Sequence, residues 1–367
     1  MKKFFEELKT MPGIEDRIEE IKAQNLPVII FGAGVAARLV TNQLVAHGLE
    51  IFGYAVDEKY YTPNQSYLGR PVFNFEELVA QGKKYIFWLA LGPKSGADNS
   101  AQQKRFNEFL NDTRIVKYAW LPKVEPVSRE FIYENQAAFE ETYNLLEDEQ
   151  SRKTMCAYLK THVTEDGNNI ADVLVPDEYF NELTREYVYG GGYVDCGAFD
   201  GDTITDFITF THGNYSKIFA IEPDKQNFAK LKKRVLENGY KNVELFNCGV
   251  WNKKDVLHFD QRGDTESNIS ENGNITVEVD AIDNMVGDCP ISLIKMDVEG
   301  AELNALKGAI KTMEKFKPVL ALSAYHRKED LITIPQFIKT IYKDCKFYLR
   351  KHEFIDLYGL DLYVIPK

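Results

Sequence analysis

The chain has little of what marks a membrane, secreted, zinc-stabilised or nucleic-acid-binding protein. No run approaches the roughly 20 apolar residues needed to span a bilayer, and the amino terminus, Met1-Lys2-Lys3-Phe4-Phe5-Glu6-Glu7, lacks the apolar core of a signal peptide. Cysteine is scarce. Its five copies, Cys156, Cys196, Cys248, Cys289 and Cys345, are odd in number, dispersed and without metal-like spacing, so they read as reduced thiols. Basic charge is short too: 44 Lys and Arg against 56 Asp and Glu give a net charge of −12. A nucleic-acid partner calls for clustered cations and is not expected. These absences point to a cytoplasmic protein without a membrane span; its oligomeric state, homo-oligomer included, stays open.

What is present is ordinary globular composition, 44% hydrophobic and 27% charged, in 367 residues, enough for two cores. The most informative stretch is Tyr193-Val194-Asp195-Cys196-Gly197-Ala198-Phe199-Asp200-Gly201-Asp202-Thr203. An apolar strand runs into an acid, a glycine, a short loop and a second glycine, and a helical pattern then begins at Ile204. Such a loop lies at the carboxyl end of a parallel strand, where open α/β sheets bind nucleotide-like ligands. A phosphate cradle would need Lys and a hydroxyl residue after its last glycine. Here Asp195, Asp200 and Asp202 would repel a polyphosphate and suit a cationic nucleoside, a description that S-adenosylmethionine meets. About twenty residues on, Lys217–Ile221 forms a second strand ending at Glu222-Pro223, where a carboxylate accepts hydrogen bonds from a ribose diol.

Residues 176 to 367 resemble an FkbM-family methyltransferase. The resemblance is carried by Tyr193–Thr203, Ile221–Asp224, Phe246-Asn247-Cys248-Gly249-Val250-Trp251, Val279–Asp283, Ile294-Lys295-Met296-Asp297-Val298-Glu299-Gly300-Ala301-Glu302 and Tyr325–Leu331. It implies a seven-stranded sheet, S-adenosylmethionine as cofactor, and methyl transfer to a hydroxyl of a sugar, polyketide or similar small molecule. The expected cofactor contacts are Asp195, Gly197, Ala198, Gly201, Asp202, Thr203, Glu222, Pro223, Asn247, Cys248, Gly249 and Asp297. Proton removal from a hydroxyl calls for a base, and His titrates in the useful range. His326, in the family motif at the end of the strand Pro318–Ala324, is the first candidate, and His352 the second. Asp297 leaves its strand closest to the transferable methyl. It is expected to orient the base, bind the acceptor, or ligate a divalent metal with Glu299 and His326, a metal that the spacing does not demand. Glu299 and Glu302 are also explained by the helix dipole alone.

The first third repeats the strand–glycine–helix–strand–acid plan: Val28–Phe31, Gly32-Ala33-Gly34, a helix over 38–47, and Ile51–Val56 ending at Asp57. Gly32, Gly34 and Asp57 mark a nucleotide or nucleotide-sugar site, or glycines that merely permit close helix–strand packing. Residues 101–112 read as helical, and 92–96 as a strand-end loop. The expected fold is therefore α/β with two Rossmann-like domains, 1–122 and 176–367, joined by a helical connector over 123–175. Two other readings stay open at this point. One is an oxidoreductase using NAD at Gly32–Ala37 and Asp57; the other is a non-catalytic nucleotide-binding protein.

Overall fold

The structure, a computed structural model, describes residues 1–91, 100–119, 127–164, 166–261, 267–269, 275–352 and 359–367. The expected loop over 92–96 and the boundary near 123 lie outside them. The chain packs as two units. Met1–Gln136 and Lys153–Leu174 form one, and Ala137–Arg152, Val175–His352 and Gly359–Lys367 form the other. The stretch 123–175 is thus divided between the two.

The first unit is built on β1 (Val28–Phe31), β2 (Ile51–Val56), β3 (Ser66–Tyr67), β4 (Arg70–Asn74), β5 (Ile86–Leu89) and β6 (Val116–Ala119), in the order β3-β4-β2-β1-β5-β6. All pairings are parallel except β3 with β4. β1 and β5 read as unbroken apolar runs because both faces are covered; every residue in them is buried. Gly32 follows β1 at φ +124°, and a Cβ there would meet the Ala90 carbonyl oxygen at 2.5 Å. Gly34 caps the helix Val35–Ala46.

The second unit holds β7 (Gly192–Cys196), β8 (Lys217–Ile221), β9 (Val243–Phe246), β10 (Gly249–Val250), β11 (Asp255–Gln261), β12 (Ser267–Ile269), β13 (Ile275–Asp280), β14 (Ile291–Met296), β15 (Val319–Ser323), β16 (Cys345–Arg350) and β17 (Asp361–Pro366). Its main sheet has seven strands in the order β16-β17-β15-β14-β7-β8-β9. β7, β8, β9, β14 and β15 run parallel, and β17 lies antiparallel to both β15 and β16. A four-stranded sheet, β10-β13-β11-β12, contains the antiparallel pair β11–β13. The chain leaves β7 toward β8 and β9 and returns on the other side through β14 and β15, so the order reverses between β7 and β14. In an open α/β sheet ligands bind outside the carboxyl ends of the strands at such a reversal.

Two glycines let β7 and β14 close up at both ends. A Cβ on Gly192 would sit 2.4 Å from the Pro290 carbonyl oxygen, and one on Gly197 would sit 1.9 Å from that of Asp297. Gly197 also has φ +77°, the left-handed region that costs an L-residue about 1–2 kcal/mol. Gly213 has a similar φ of +72° but open space around its missing Cβ. Gly213→Ala is therefore expected to cost about 1–2 kcal/mol, whereas Gly197→Ala adds a backbone collision and should cost at least about 3 kcal/mol. Urea unfolding of both variants checks this; equal losses would mean that the β7–β14 approach is not tight.

Candidate active site

At the switch point the strand ends carry charge into a buried place. Asp195, the fourth residue of β7, is completely buried, and so is the side chain of Lys295 beside it on β14. The Lys295 Nζ lies 3.3 Å from Asp195 Oδ1 and donates to the Gly197 carbonyl oxygen at 2.8 Å. The Thr203 hydroxyl, in the first turn of the helix Asp202–Phe210, donates to Asp195 Oδ2 at 2.5 Å. Burial alone would lower the Lys295 pKa; the Asp195 and Asp297 carboxylates outweigh it and hold the amine above its ordinary pKa. Lys295 went unassigned in the sequence, although a lysine inside an apolar strand is itself a signal, since such a charge is rarely buried without a partner.

The loop after β7 consumes its own amides. Gly197 and Ala198 donate their N–H groups to the Ile221 carbonyl oxygen, Gly201 donates to that of Ala198, and Phe199 donates to Glu222 Oε2 at 2.9 Å. Phe199 holds this position at φ +46°, unusual for a residue with a side chain. With its N–H groups turned inward, the bend offers carboxylates rather than a nest of donors, the reverse of a phosphate cradle. Asp200 is tied to Arg234 at 2.7 Å, and Asp202 is exposed.

Glu222 follows β8 and is 6% exposed. Burial pushes its carboxyl above the usual range, partly offset by the backbone N–H groups of Asp224 and Phe199. Each oxygen accepts one of these, Oε1 from Asp224 at 2.8 Å and Oε2 from Phe199. A carboxylate has about four acceptor positions, so one on each oxygen is left for a diol. Exposed Asn247, after β9, donates to the carbonyl oxygens of Glu222 and of exposed Pro223. The Cys248 thiol is pushed up to about 11 by burial and then by Asp280 and Glu278, and neighbouring Gly249 begins β10. The side chains and inward-turned amides around 197–203 and Glu222 fit a cationic nucleoside with a ribose diol.

The second cluster stands across the reversal. Asp297 donates its backbone N–H to the Cys196 carbonyl oxygen at 3.1 Å, which fixes it against the β7 loop. His326, leaving β15, has Nε2 at 3.5 Å from Asp297 Oδ1 and 3.6 Å from Glu299 Oε2, and Nδ1 at 2.9 Å from Glu302 Oε1. Burial alone would lower the imidazole pKa; Glu302 first, then Asp297 and Glu299, raise it to about 9. In this state the ring keeps its proton at neutral pH. Glu302 is fully buried and also accepts the Val298 N–H, a position that the helix-dipole reading did not anticipate. Asp330 is buried nearby, its carboxyl pushed up to about 7 by burial and by Glu302.

His352 is placed elsewhere, with both ring nitrogens engaged. Nδ1 pairs with the Val175 carbonyl oxygen at 3.1 Å and Nε2 with the Tyr363 hydroxyl at 2.9 Å, while that hydroxyl accepts the Tyr179 N–H. The chain Tyr179 N–H to Tyr363 O–H to Nε2, with Nδ1–H to Val175, is complete for a neutral ring. Burial accordingly lowers its pKa to about 4. In the first unit, Asp57 is spent on Arg105, whose Nε donates to it at 2.8 Å, and the Tyr67 hydroxyl donates to the Gly34 carbonyl oxygen. A ribose diol at Asp57 would have to compete with that guanidinium.

Two outcomes are expected. Asp195→Ala would leave a buried, unpaired ammonium and should cost about 3–5 kcal/mol in urea unfolding, with most of it recovered in Asp195→Ala/Lys295→Met; an additive double variant would refute the coupling. For His352, the unfolded ring binds its proton below about pH 6.5 and the folded one only below about 4. Its contribution is therefore complete above 6.5 and declines by on the order of 3 kcal/mol as pH falls to 4. The stability difference between wild type and His352→Asn should shrink over that window; a constant difference would show that the ring is not held neutral.

Among known sequences and structures, the model of the methyltransferase FkbM domain family matches residues 195–352. The crystal structure of methyltransferase FkbM from Methylobacillus flagellatus KT is similar over 98% of this chain and 97% of its own, with 23% identity and a TM-score of 0.72, which establishes the fold. An rRNA methylase from Streptococcus thermophilus matches 51% of this chain and 92% of its own at 18% identity (TM-score 0.35), and a SAM-dependent methyltransferase from Aquifex aeolicus 54% and 97% at 13% (TM-score 0.31). No curated protein matches the sequence. The matched segment begins at Asp195 and ends at His352, spanning both the glycine bend and the His326 cluster; residues 195–352 are a methyltransferase FkbM domain.

Proposed function

We propose that this chain methylates a hydroxyl oxygen of a small molecule, a saccharide or glycan precursor, in the cytoplasm. The observation that carries this reading is the placement of the Asp297–His326 cluster against the β7 loop, with the Asp297 N–H bonded to the Cys196 carbonyl oxygen. The cofactor, when bound, supplies an electrophilic methyl on a sulfonium. Glu222, with one acceptor position left on each oxygen, holds the ribose diol, and the bend 197–203 receives the rest of the nucleoside. Carboxylates cannot fulfil the electrostatic needs of a nucleic-acid backbone, and a chain of net charge −12 favours a small acceptor.

Asp297 is half-buried and so reachable by an acceptor, and its carboxylate accepts the hydrogen bond of the hydroxyl that is to be methylated. His326 lies behind it, with Nε2 3.5 Å from Asp297 Oδ1, and fixes the Asp297 side chain. Alignment of the acceptor oxygen and loss of its proton are what such a transfer requires from the protein. No helix among the described residues is long and apolar enough to cross a membrane, in keeping with an acceptor met in water.

Glu222→Ala is expected to weaken S-adenosylmethionine binding by about 10–100-fold in calorimetry through the loss of hydrogen bonds to a charged acceptor; unchanged affinity would remove Glu222 from the site. Incubation of the protein and cofactor with a panel of free sugars and sugar nucleotides, read by mass spectrometry and NMR, tests the acceptor atom. An O-methyl product supports the reading, and methylation found solely on nitrogen or carbon overturns it.

A further inference from the structure

The cluster at the end of β14 and β15 has more structure than acceptor binding needs. One ligating atom from each of Asp297, Glu302 and His326 lies within 4.8 Å of the others. Nε2 of His326, 3.5 Å from Asp297 Oδ1 and 3.6 Å from Glu299 Oε2, has the spacing that donors keep around a shared ion when each bond is about 2.0–2.4 Å. The opposite ring nitrogen faces Glu302 Oε1 at 2.9 Å, the arrangement in which a carboxylate orients a metal-binding imidazole from behind.

A second, independent observation concerns Glu302. It has no exposed surface; Oε1 takes both the ring nitrogen and the Val298 N–H, yet Oε2 is buried with no hydrogen-bond partner. A desolvated carboxylate oxygen without a donor is costly; without an ion the His326 ring at 2.9 Å supplies the balancing charge, and a divalent cation on the ring's other nitrogen would take over that role. The Arg327 guanidinium, next in sequence to His326, donates to the Gly300 carbonyl oxygen. Glu299 stands on the open side at φ +54°, its side chain 84% exposed, so an ion has a way in from solvent.

We propose that His326 Nε2 and the Asp297 carboxylate bind one divalent cation, with Glu299 at its open side and Glu302 positioning the ring and adding its negative charge. The mixed imidazole and carboxylate donors suit Mn²⁺, Mg²⁺ or Zn²⁺. The inference rests on the reading of this cluster as the acceptor end of the site: a cation here would hold an acceptor oxygen beside the β7 loop.

The test is a Mn²⁺ titration of the full-length protein followed by electron paramagnetic resonance, with Mg²⁺ and Zn²⁺ as competitors and S-adenosylmethionine binding measured in parallel. Wild type is expected to immobilise one Mn²⁺ per chain, Asp297→Asn and His326→Gln to abolish saturable uptake, and Glu302→Gln, a positioning variant that keeps size and shape, to weaken it by about 10–100-fold. No saturable uptake of Mn²⁺ and no binding of Zn²⁺ or Mg²⁺ by wild type overturns the proposal without reference to any variant. Uptake unchanged in Asp297→Asn, as from scattered surface acids, overturns it too. Cofactor binding without cation uptake sinks this inference and leaves the methyltransferase reading of the cluster intact, while cation uptake without cofactor binding does the reverse.

Discussion

The Asp195–Lys295 ion pair is the constraint on which the rest of the catalytic unit depends. It joins the two central strands, β7 and β14, at the point where the strand order reverses, and both charges are out of water. Taking two charges from water is expensive, and it is tolerated where the two are paired and further hydrogen bonds support them. Lys295 also donates to the Gly197 carbonyl oxygen, and Asp195 accepts the Thr203 hydroxyl on Oδ2, while its Oδ1 has the ammonium at 3.3 Å and no hydrogen bond. One pair of side chains thereby sets the β7–β14 spacing, the path of the glycine bend and the first turn of the following helix. The Asp195 carboxylate is for this reason held in the structure, and the carboxylate that keeps acceptor positions open is Glu222 one strand away.

The two sides of the reversal have opposite characters. Around the bend, amides and carboxylates satisfy one another, so little is left over except the acceptor positions of Glu222 and the exposed Asp202. Beyond β14, four carboxylates, Asp297, Glu299, Glu302 and Asp330, gather near one imidazole; their attraction pushes the histidine up to about 9, while burial, with Glu302, pushes Asp330 up to about 7. A bistable or merely crowded site would relax by turning these groups outward. Here Glu302 is held inside by the Val298 N–H and by the ring itself. Perturbed groups that a fold keeps buried at a strand end are the pattern of a working site rather than of a packing accident.

His326 and His352 illustrate how chemistry diverges between two like residues that follow strands of the same sheet, β15 and β16. One is surrounded by carboxylates and keeps its proton; the other lies between a carbonyl oxygen and a tyrosine hydroxyl and loses it. The two ring environments place their pKa values on opposite sides of neutrality, so one histidine serves charge and the other serves packing of the carboxyl-terminal strands.

By itself the sequence determined the architecture and marked the strand ends at which the candidate residues stand. Continuous apolar runs of four to six residues became strands buried on both faces, glycines at 197 and 201 marked the bend, and the acid after the second strand landed where the alternation of strands and helices says it must. Those features are local: they follow from the period of the side chains and from what a backbone without a Cβ can do. The tertiary structure alone decided which acid faces what. Asp195 and Glu222 look alike in the chain, yet one is sealed against a lysine 100 residues away and the other keeps acceptor positions open. Glu302 reads as an ordinary first-turn acid until β15 brings His326 against it. Protonation and pairing depend on burial and on neighbours distant in sequence, and no local pattern carries that information.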